Sequence, residues 1–109
     1  MVSTVATYET TANKLKMLGH PIRLQILDML RQGEICVCHI ENALNKRQAY
    51  ISQQLMVLRD AGLIQPRKDG LRVYYSLADE EVKTLLNTIF GQADEELTVL
   101  VGCPCPSCS

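Results

Sequence analysis

Residues 37–77 read VCHIENALNKRQAYISQQLMVLRDAGLIQPRKDGLRVYYSL, and this stretch decides the fold. Its apolar residues recur at helical spacing in two groups, Val37, Ile40 and Leu44, then Ile51, Leu55 and Leu58. The first group predicts a short helix over residues 37–44, and the second predicts a longer helix over about 47–61, with Gly62 at its end. Because a brief polar turn at 45–48 joins the two, the stretch predicts a helix-turn-helix.

A basic hairpin is predicted directly after the second helix. Leu63–Arg67 and Leu71–Leu77 are short runs of residues that favour strands, and Lys68-Asp69-Gly70 lies between them. The Asp-Gly pair is a strong hairpin signal. The predicted fold is therefore mainly α with a small β-hairpin, a winged helix-turn-helix.

Helical spacing continues on both sides of this stretch. Before it, apolar residues from Leu15 to Leu30 predict two helices interrupted at Gly19-His20-Pro21. After it, residues 79–91 predict a last helix, and Leu97–Val101 either extends this helix or begins a separate turn. A chain of 109 residues has room for one domain. We assign residues 1–102 to this domain and residues 103–109 to a cysteine-rich tail.

The net charge of −1 hides a marked asymmetry along the chain. Six basic residues face two acidic ones between Asn45 and Tyr75, whereas one lysine faces six acidic residues from Ser76 onwards. A basic helix-turn-helix and wing are typical of proteins that contact nucleic acid phosphates. The chain is therefore predicted to bind double-stranded DNA.

The second helix of the helix-turn-helix is predicted to enter the major groove. The candidates for base contacts are the polar side chains on its outer face, Gln48, Ser52 and Gln53. The candidates for phosphate contacts surround it or lie on the wing: Lys46, Arg47, Tyr50, Arg59, Arg67, Lys68 and Arg72. A winged helix that docks to protein is an alternative, but such a surface would carry more aromatic residues or Leu.

Five cysteines form two clusters, Cys36 with Cys38, and Cys103 with Cys105 and Cys108. In a reducing compartment such clusters indicate metal ligation or redox sensing rather than disulfides, and their placement suggests that they lie outside the core. Cys36 is expected at the N-cap of the first helix, where backbone amides favour a thiolate. Residues i and i+2 point about 200° apart on a continuous helix, so one ion can bind both cysteines only if the first turn of the helix is loose or partly unwound.

Soft ions fit an all-sulfur site best. Two thiolates do not close such a site, because trivalent arsenic, trivalent antimony and lead favour three sulfurs, and cadmium and zinc favour four ligands. The tail cysteines could complete the Cys36/Cys38 site, in the same chain or across a dimer, or hold an ion themselves. We predict arsenic or antimony first, then cadmium or lead, and last zinc with His39; no organic cofactor is predicted.

Four motifs carry a family resemblance: LGHPIRLQIL at 18–27, EICVCHI at 34–40, ISQQL at 51–55 and LRDAGLI at 58–64. In this order they resemble the ArsR/SmtB family of metal-responsive bacterial repressors, in its Cys-Val-Cys branch, over about residues 15–77. The resemblance implies a homodimer built mainly from the first and last helices, a palindromic operator, and repression relieved by a ligand. Residues 1–102 are then a DNA-binding and dimerisation domain.

The chain also departs from this family. Residues 79–96 contain no histidine for the zinc site that some members have on the last helix, no cysteine precedes Cys36, and His39 replaces the usual aspartate after Cys-Val-Cys. His39 is more typical of a solvated or capping histidine than of a ligand, and His20 is expected to be structural.

Other classes of function remain open. A repressor of this fold could sense persulfide or oxidant by linking one cysteine of each cluster, and a metal-sequestering protein would explain only the cysteines. The chain is not expected to be an enzyme, because it shows no acid and base pair and no phosphate-binding loop. No apolar run is long enough to cross a membrane and no signal peptide is visible, so we expect a cytoplasmic protein.

Overall fold

The computed structural model describes the backbone of residues 4–91 and the side chains of residues 7–91. Within this part the elements follow in the order α1 (Thr4–Leu18), α2 (Pro21–Arg31), β1 (Ile35–Cys36), α3 (Val37–Leu44), α4 (Gln48–Asp60), β2 (Ile64–Asp69), β3 (Arg72–Leu77) and α5 (Glu80–Phe90). The predicted winged helix-turn-helix is confirmed. The predictions for Leu97–Val101, for the domain boundary at residue 102 and for Cys103, Cys105 and Cys108 lie outside the described residues.

The helices turn their apolar faces to one shared core, as their spacing predicts. Side chains with no exposed surface come from four helices: Ile26, Leu27, Ile40, Ile51, Leu58 and Leu86. Leu63 and Ile64 add the start of the wing to the same core. Since burying a large apolar side chain contributes about 1.5–3 kcal/mol, this cluster fixes how α4 and the wing sit on the other helices.

The turn of the helix-turn-helix depends on Asn45. This residue ends α3 in the left-handed conformation, with φ 51° and ψ 47°, and its amide donates to the Glu41 carbonyl oxygen. Asparagine tolerates this conformation better than most residues with a side chain. Residues 45–47 then lead into α4, whose observed bounds agree with the predicted 47–61 to within one residue.

The sheet differs from the prediction in two ways. Among the described residues it has three antiparallel strands in the order β1-β3-β2, so the hairpin gains the short strand β1. The hairpin loop is Gly70-Leu71, because Asp69 pairs with Arg72, and it therefore begins one residue later than the predicted Asp-Gly turn. Gly70 has φ 65°, which suits the first loop position of a type II′ turn.

Polar contacts join the outer helices to the rest of the fold. His20 caps α2, since its Nδ1 accepts from the Ile22 amide at 3.2 Å, and this confirms its structural role. Lys14 of α1 pairs with Asp79 and Glu81 at the start of α5, each at 2.9 Å. No helix within residues 4–91 is both long and apolar enough to cross a membrane.

Candidate functional site

The outer face of α4 carries the predicted base-contacting residues. Gln48, Ser52 and Gln53 are all exposed, whereas Ile51 and Leu55 on the opposite face are buried. The amide and hydroxyl groups that could read base edges therefore point away from the core. Contact with DNA stays a prediction for each of these residues.

The basic residues around α4 are exposed as well. Lys46 lies in the turn, Arg47 is the N-cap residue of α4, and Arg59 near its end approaches Asp60 at 3.7 Å. Tyr50 differs from these exposed residues because it is half-buried and packs against the hydrophobic core. Its ring is thus fixed in place, with the rest of its surface available for a phosphate contact.

Arg67 on the wing has a partner that sequence reasoning missed. Its Nε and Nη2 donate to both carboxylate oxygens of Glu34 at 2.6–3.1 Å, and its guanidinium lies 4.9 Å from the centre of the Tyr74 ring. These hydrogen bonds raise the pKa of Arg67 and lower the pKa of Glu34. Lys68 is exposed and, within the described residues, forms no ion pair, so Arg67 is paired with an acid and Lys68 is not.

Cys36 and Cys38 are brought together at the start of α3. Cys36 is the N-cap residue, as predicted, and Cys38 is the second residue of the helix. Their Sγ atoms lie 2.9 Å apart, so the two side chains converge, although residues i and i+2 of a continuous helix would point apart. The reason is that Cys36 is extended, with φ −77° and ψ 155°, and belongs to β1 as well. The sulfurs therefore meet without any loosening of the helix.

The two cysteines differ in exposure. Cys36 is 2% exposed and forms a small cluster with Cys38 and Tyr74, apart from the main core. This burial corrects the expectation that the cysteines avoid apolar surroundings. Cys38 is half-buried, and the backbone of Cys36 pairs with that of Tyr74 between β1 and β3. The thiol pair is thus attached directly to the wing.

An open cavity of about 490 Å³ lies against the thiol pair. Its lining comes from α3, α4 and the wing: Cys36, Val37, Cys38, Glu41, Gln48, Leu71, Arg72 and Val73. Gln48 and Arg72 are two of the predicted DNA contacts. The structure therefore places the thiols, the first residue of α4 and one wing cation around the same opening.

The described residues supply two sulfurs but no complete metal site. Within residues 7–91, no three His, Cys, Asp or Glu side chains form a group that could hold a metal ion. His39 therefore does not join Cys36 and Cys38 as a third ligand there. Two convergent cysteine sulfurs fit a soft ion by the chemistry of their donors, and the predicted tail ligands lie outside the described residues.

Gln54 is a second functional residue that sequence reasoning missed. It is 7% exposed, and its Oε1 accepts from Arg23 Nε of α2 at 2.8 Å. A polar residue next to Leu55, on the apolar side of α4, was the signal that could have identified it. This contact fixes α4 against α2.

Known proteins share both the sequence and the fold. The family model for bacterial regulatory proteins of the arsR family matches residues 20–65. The chain is 40% identical over 77 residues to the biofilm growth-associated repressor of Agrobacterium fabrum, covering 71% of this chain and 66% of that one. It is 39% identical over 80 residues to the cadmium resistance regulatory protein CadC homolog of Staphylococcus aureus, covering 72% and 66%.

A solved structure extends the likeness. The homodimeric winged helix-turn-helix DNA-binding domain of Mb0332 from Mycobacterium bovis matches with a TM-score of 0.73 and 36% identity, covering 90% of this chain and 93% of that one. These relatives are DNA-binding regulators rather than enzymes. The chain belongs to the arsR family of bacterial regulatory proteins and is a winged helix-turn-helix transcriptional regulator.

Proposed function

We propose that a thiophilic metal or metalloid ion, bound through Cys36 and Cys38, releases this repressor from its operator. The observation that carries the proposal is the approach of the two Sγ atoms to 2.9 Å at the start of the helix that supports α4. Trivalent arsenic or antimony is the favoured inducer, because all-sulfur sites select soft ions. Cadmium, lead and zinc rank next, and the CadC homolog named for cadmium resistance supports the first of them.

On the operator, α4 would read the bases and the wing would contact the backbone. We assign base contacts to Gln48, Ser52 and Gln53, and phosphate contacts to Lys46, Arg47, Tyr50, Arg59, Arg67, Lys68 and Arg72. The exposure of all of these residues except Tyr50 and Arg72, which are half-buried, and the positive charge of the lysines and arginines support this assignment. A repressor of this kind acts where the DNA is, in the cytoplasm.

The cavity beside the thiols explains how binding an ion would weaken binding to DNA. Both cysteines must lose their protons to bind a soft cation, and their sulfurs must then adjust to it. Cys36 and Cys38 share the cavity with Gln48 and Arg72, so a shift at the start of α3 changes the surroundings of two proposed DNA contacts. The operator-bound arrangement and the ion-bound arrangement would thus compete.

We propose that the C-terminal tail contributes further ligands to the bound ion. Residues 1–102 would form the DNA-binding and dimerisation domain, and residues 103–109 would supply Cys103, Cys105 and Cys108 as further sulfur ligands. Three additional thiols would meet the requirement of arsenic or antimony for a third sulfur and that of cadmium for four ligands.

The test is release of labelled promoter DNA, followed by fluorescence anisotropy with fully reduced protein. Arsenite, antimonite, cadmium, lead, zinc and a persulfide donor are titrated separately. We expect at least one of the ions to release wild-type protein from the promoter DNA. The same ion should not release the variant Cys36→Ser/Cys38→Ser, which should still bind DNA. The full-length variant Cys103→Ser/Cys105→Ser/Cys108→Ser shows whether the tail contributes. If every ion leaves the wild-type complex intact, the proposal is wrong.

A redox-sensing repressor is the second candidate. The contact between the two sulfurs favours it, since thiols held close together are suited to thiol exchange and persulfide chemistry. Release by the persulfide donor alone, without effect of any ion, would favour this function over the first.

A further inference from the structure

The ion pair between Glu34 and Arg67 occupies one of the side chains that we assign to phosphate contacts, Arg67. Arg67 presents its guanidinium to both carboxylate oxygens of Glu34, the geometry with which Arg also binds phosphate oxygens. One guanidinium edge cannot serve both acceptors in this way. Glu34 and a DNA phosphate are therefore alternatives for the same donors.

The position of Arg67 is held by more than the carboxylate. The Tyr74 ring lies beneath the guanidinium at 4.9 Å, and Arg67 is paired with Tyr74 in the register of β2 and β3. Arg67 is 53% exposed at its side chain, so the pair lies at the surface where DNA could reach it. The guanidinium of Arg67 thus lies against the Tyr74 ring and is already paired with the Glu34 carboxylate.

We propose that Glu34 competes within the molecule with DNA phosphates for Arg67 and so limits the affinity of the wing for DNA. The proposal rests on the proposed contact between the wing and the DNA backbone, but not on any ion at the cysteines. An exposed pair contributes little to stability, so Glu34 lowers DNA affinity without blocking it. Glu34 is a positioning residue in this sense: it acts on DNA only through Arg67.

The test compares Glu34→Gln with wild type on operator and on random DNA over a series of salt concentrations. We expect DNA affinity to rise about two- to fivefold on both sequences, since the gain comes from a phosphate contact. The dependence of log affinity on log salt should steepen by about one. Asp69→Asn is the matched control, because it also removes one negative charge near Arg67, but Asp69 pairs with Arg67 only at the longer distance of 4.0 Å.

A double-mutant cycle isolates Arg67 from the change in net charge. Arg67→Ala should cost more affinity in the Glu34→Gln background than in wild type, and it should remove the whole gain. Unchanged or weaker binding of Glu34→Gln, an equal gain for Asp69→Asn, or a gain that persists without Arg67 would each overturn the proposal. Glu34→Ala repeats the comparison without the hydrogen-bonding amide.

Lys68→Ala distinguishes a failure of the proposed contact between the wing and DNA from a failure of the proposed competition by Glu34. Because Lys68 forms no ion pair within residues 7–91, its loss should reduce the salt dependence by about one if the wing contacts DNA. If Lys68→Ala has no effect on either DNA, the wing contact itself is wrong. If Lys68→Ala acts and Glu34→Gln does not, the wing contact holds and the competition by Glu34 is wrong.

Discussion

Two adjacent glutamines in α4 have opposite surroundings. Gln53 is exposed on the outer face, whereas Gln54 is 7% exposed and accepts a hydrogen bond from Arg23. Successive residues of a helix are rotated by about 100°, which is enough to move a side chain from the solvent to the packed side. Gln53 is therefore free of the packing role and is one of the proposed base contacts, whereas Gln54 holds α4 against α2.

We predict that Gln54→Leu lowers the free energy of unfolding by about 1–3 kcal/mol, because Arg23 loses a buried acceptor. Gln53→Leu should change it by no more than about 0.5 kcal/mol. Gln53→Ala should instead reduce the preference for operator over random DNA. Urea unfolding and DNA titration measure the two effects, and an equal loss of stability from both leucine variants would contradict the assignment.

At this scale the sequence predicted which side chains are exposed but not which of them meet. The exposed face of α4 follows from the spacing of Ile51, Leu55 and Leu58, which is a local pattern. The pairing of Glu34 with Arg67 joins residues 33 positions apart, and no local pattern contains that information. The approach of Cys36 to Cys38 depended on the backbone of one residue, which is extended rather than helical.

The start of α5 is fixed by a single acidic side chain. Asp79 Oδ1 accepts from the Val82 amide at 3.0 Å, and Oδ2 pairs with Lys14 of α1. Burial alone would raise the pKa of Asp79, but the hydrogen bonds from Lys14 and Val82 outweigh it and lower the pKa. The carboxylate therefore stabilises the fold when it is ionised.

We predict that Asp79→Ala lowers the free energy of unfolding by about 1 kcal/mol at pH 7, the usual cost of losing an N-cap. Because the folded pKa is depressed, this difference is fully present above the unfolded pKa of about 3.9 and decreases as the pH falls below it. Urea unfolding from pH 7 to pH 3 measures it, with the exposed neighbour Glu80→Ala as control. A difference that stays constant down to pH 3 would argue against the ionised cap.

Among the elements, the sequence predicted the long ones and missed β1. The apolar spacing of α2, α4 and α5 extends over several turns, whereas β1 has only two residues and shows no alternation. It forms because the backbone of β3 offers hydrogen bonds to it, which is a tertiary effect. The beginning of α1 was missed for a related reason, since residues 7–13 are all exposed and leave no apolar stripe to detect.

The whole molecule has an apolar surface on its first and last helices. Tyr8 and Leu15 of α1 and Ile89 and Phe90 of α5 are each more than half exposed. Lys14 ties the two helices together through Asp79 and Glu81. The family resemblance implies a homodimer built mainly from the first and last helices, and Mb0332 is homodimeric, so we propose these two helices as the subunit interface.

We predict that Leu15→Glu raises the dimer dissociation constant about tenfold or more, because a charge would be buried between subunits. Binding to a palindromic operator should weaken with it. Leu71→Glu is the matched control, because Leu71 is fully exposed at the tip of the wing and should leave the dimer intact. Sedimentation measures the oligomeric state. An unchanged dissociation constant for Leu15→Glu would place the interface elsewhere.

The unequal exposure of Cys36 and Cys38 would set the kinetics of the proposed induction by an ion. An ion diffusing in from solvent would first meet the half-buried sulfur of Cys38, and bond formation to the 2% exposed Cys36 would follow as ring closure within the protein. The association rate constant would then reflect a single collision, whereas dissociation would require both bonds to open. A sensor that binds its ion in this order would respond quickly to a rising ion concentration and reset slowly once the concentration falls.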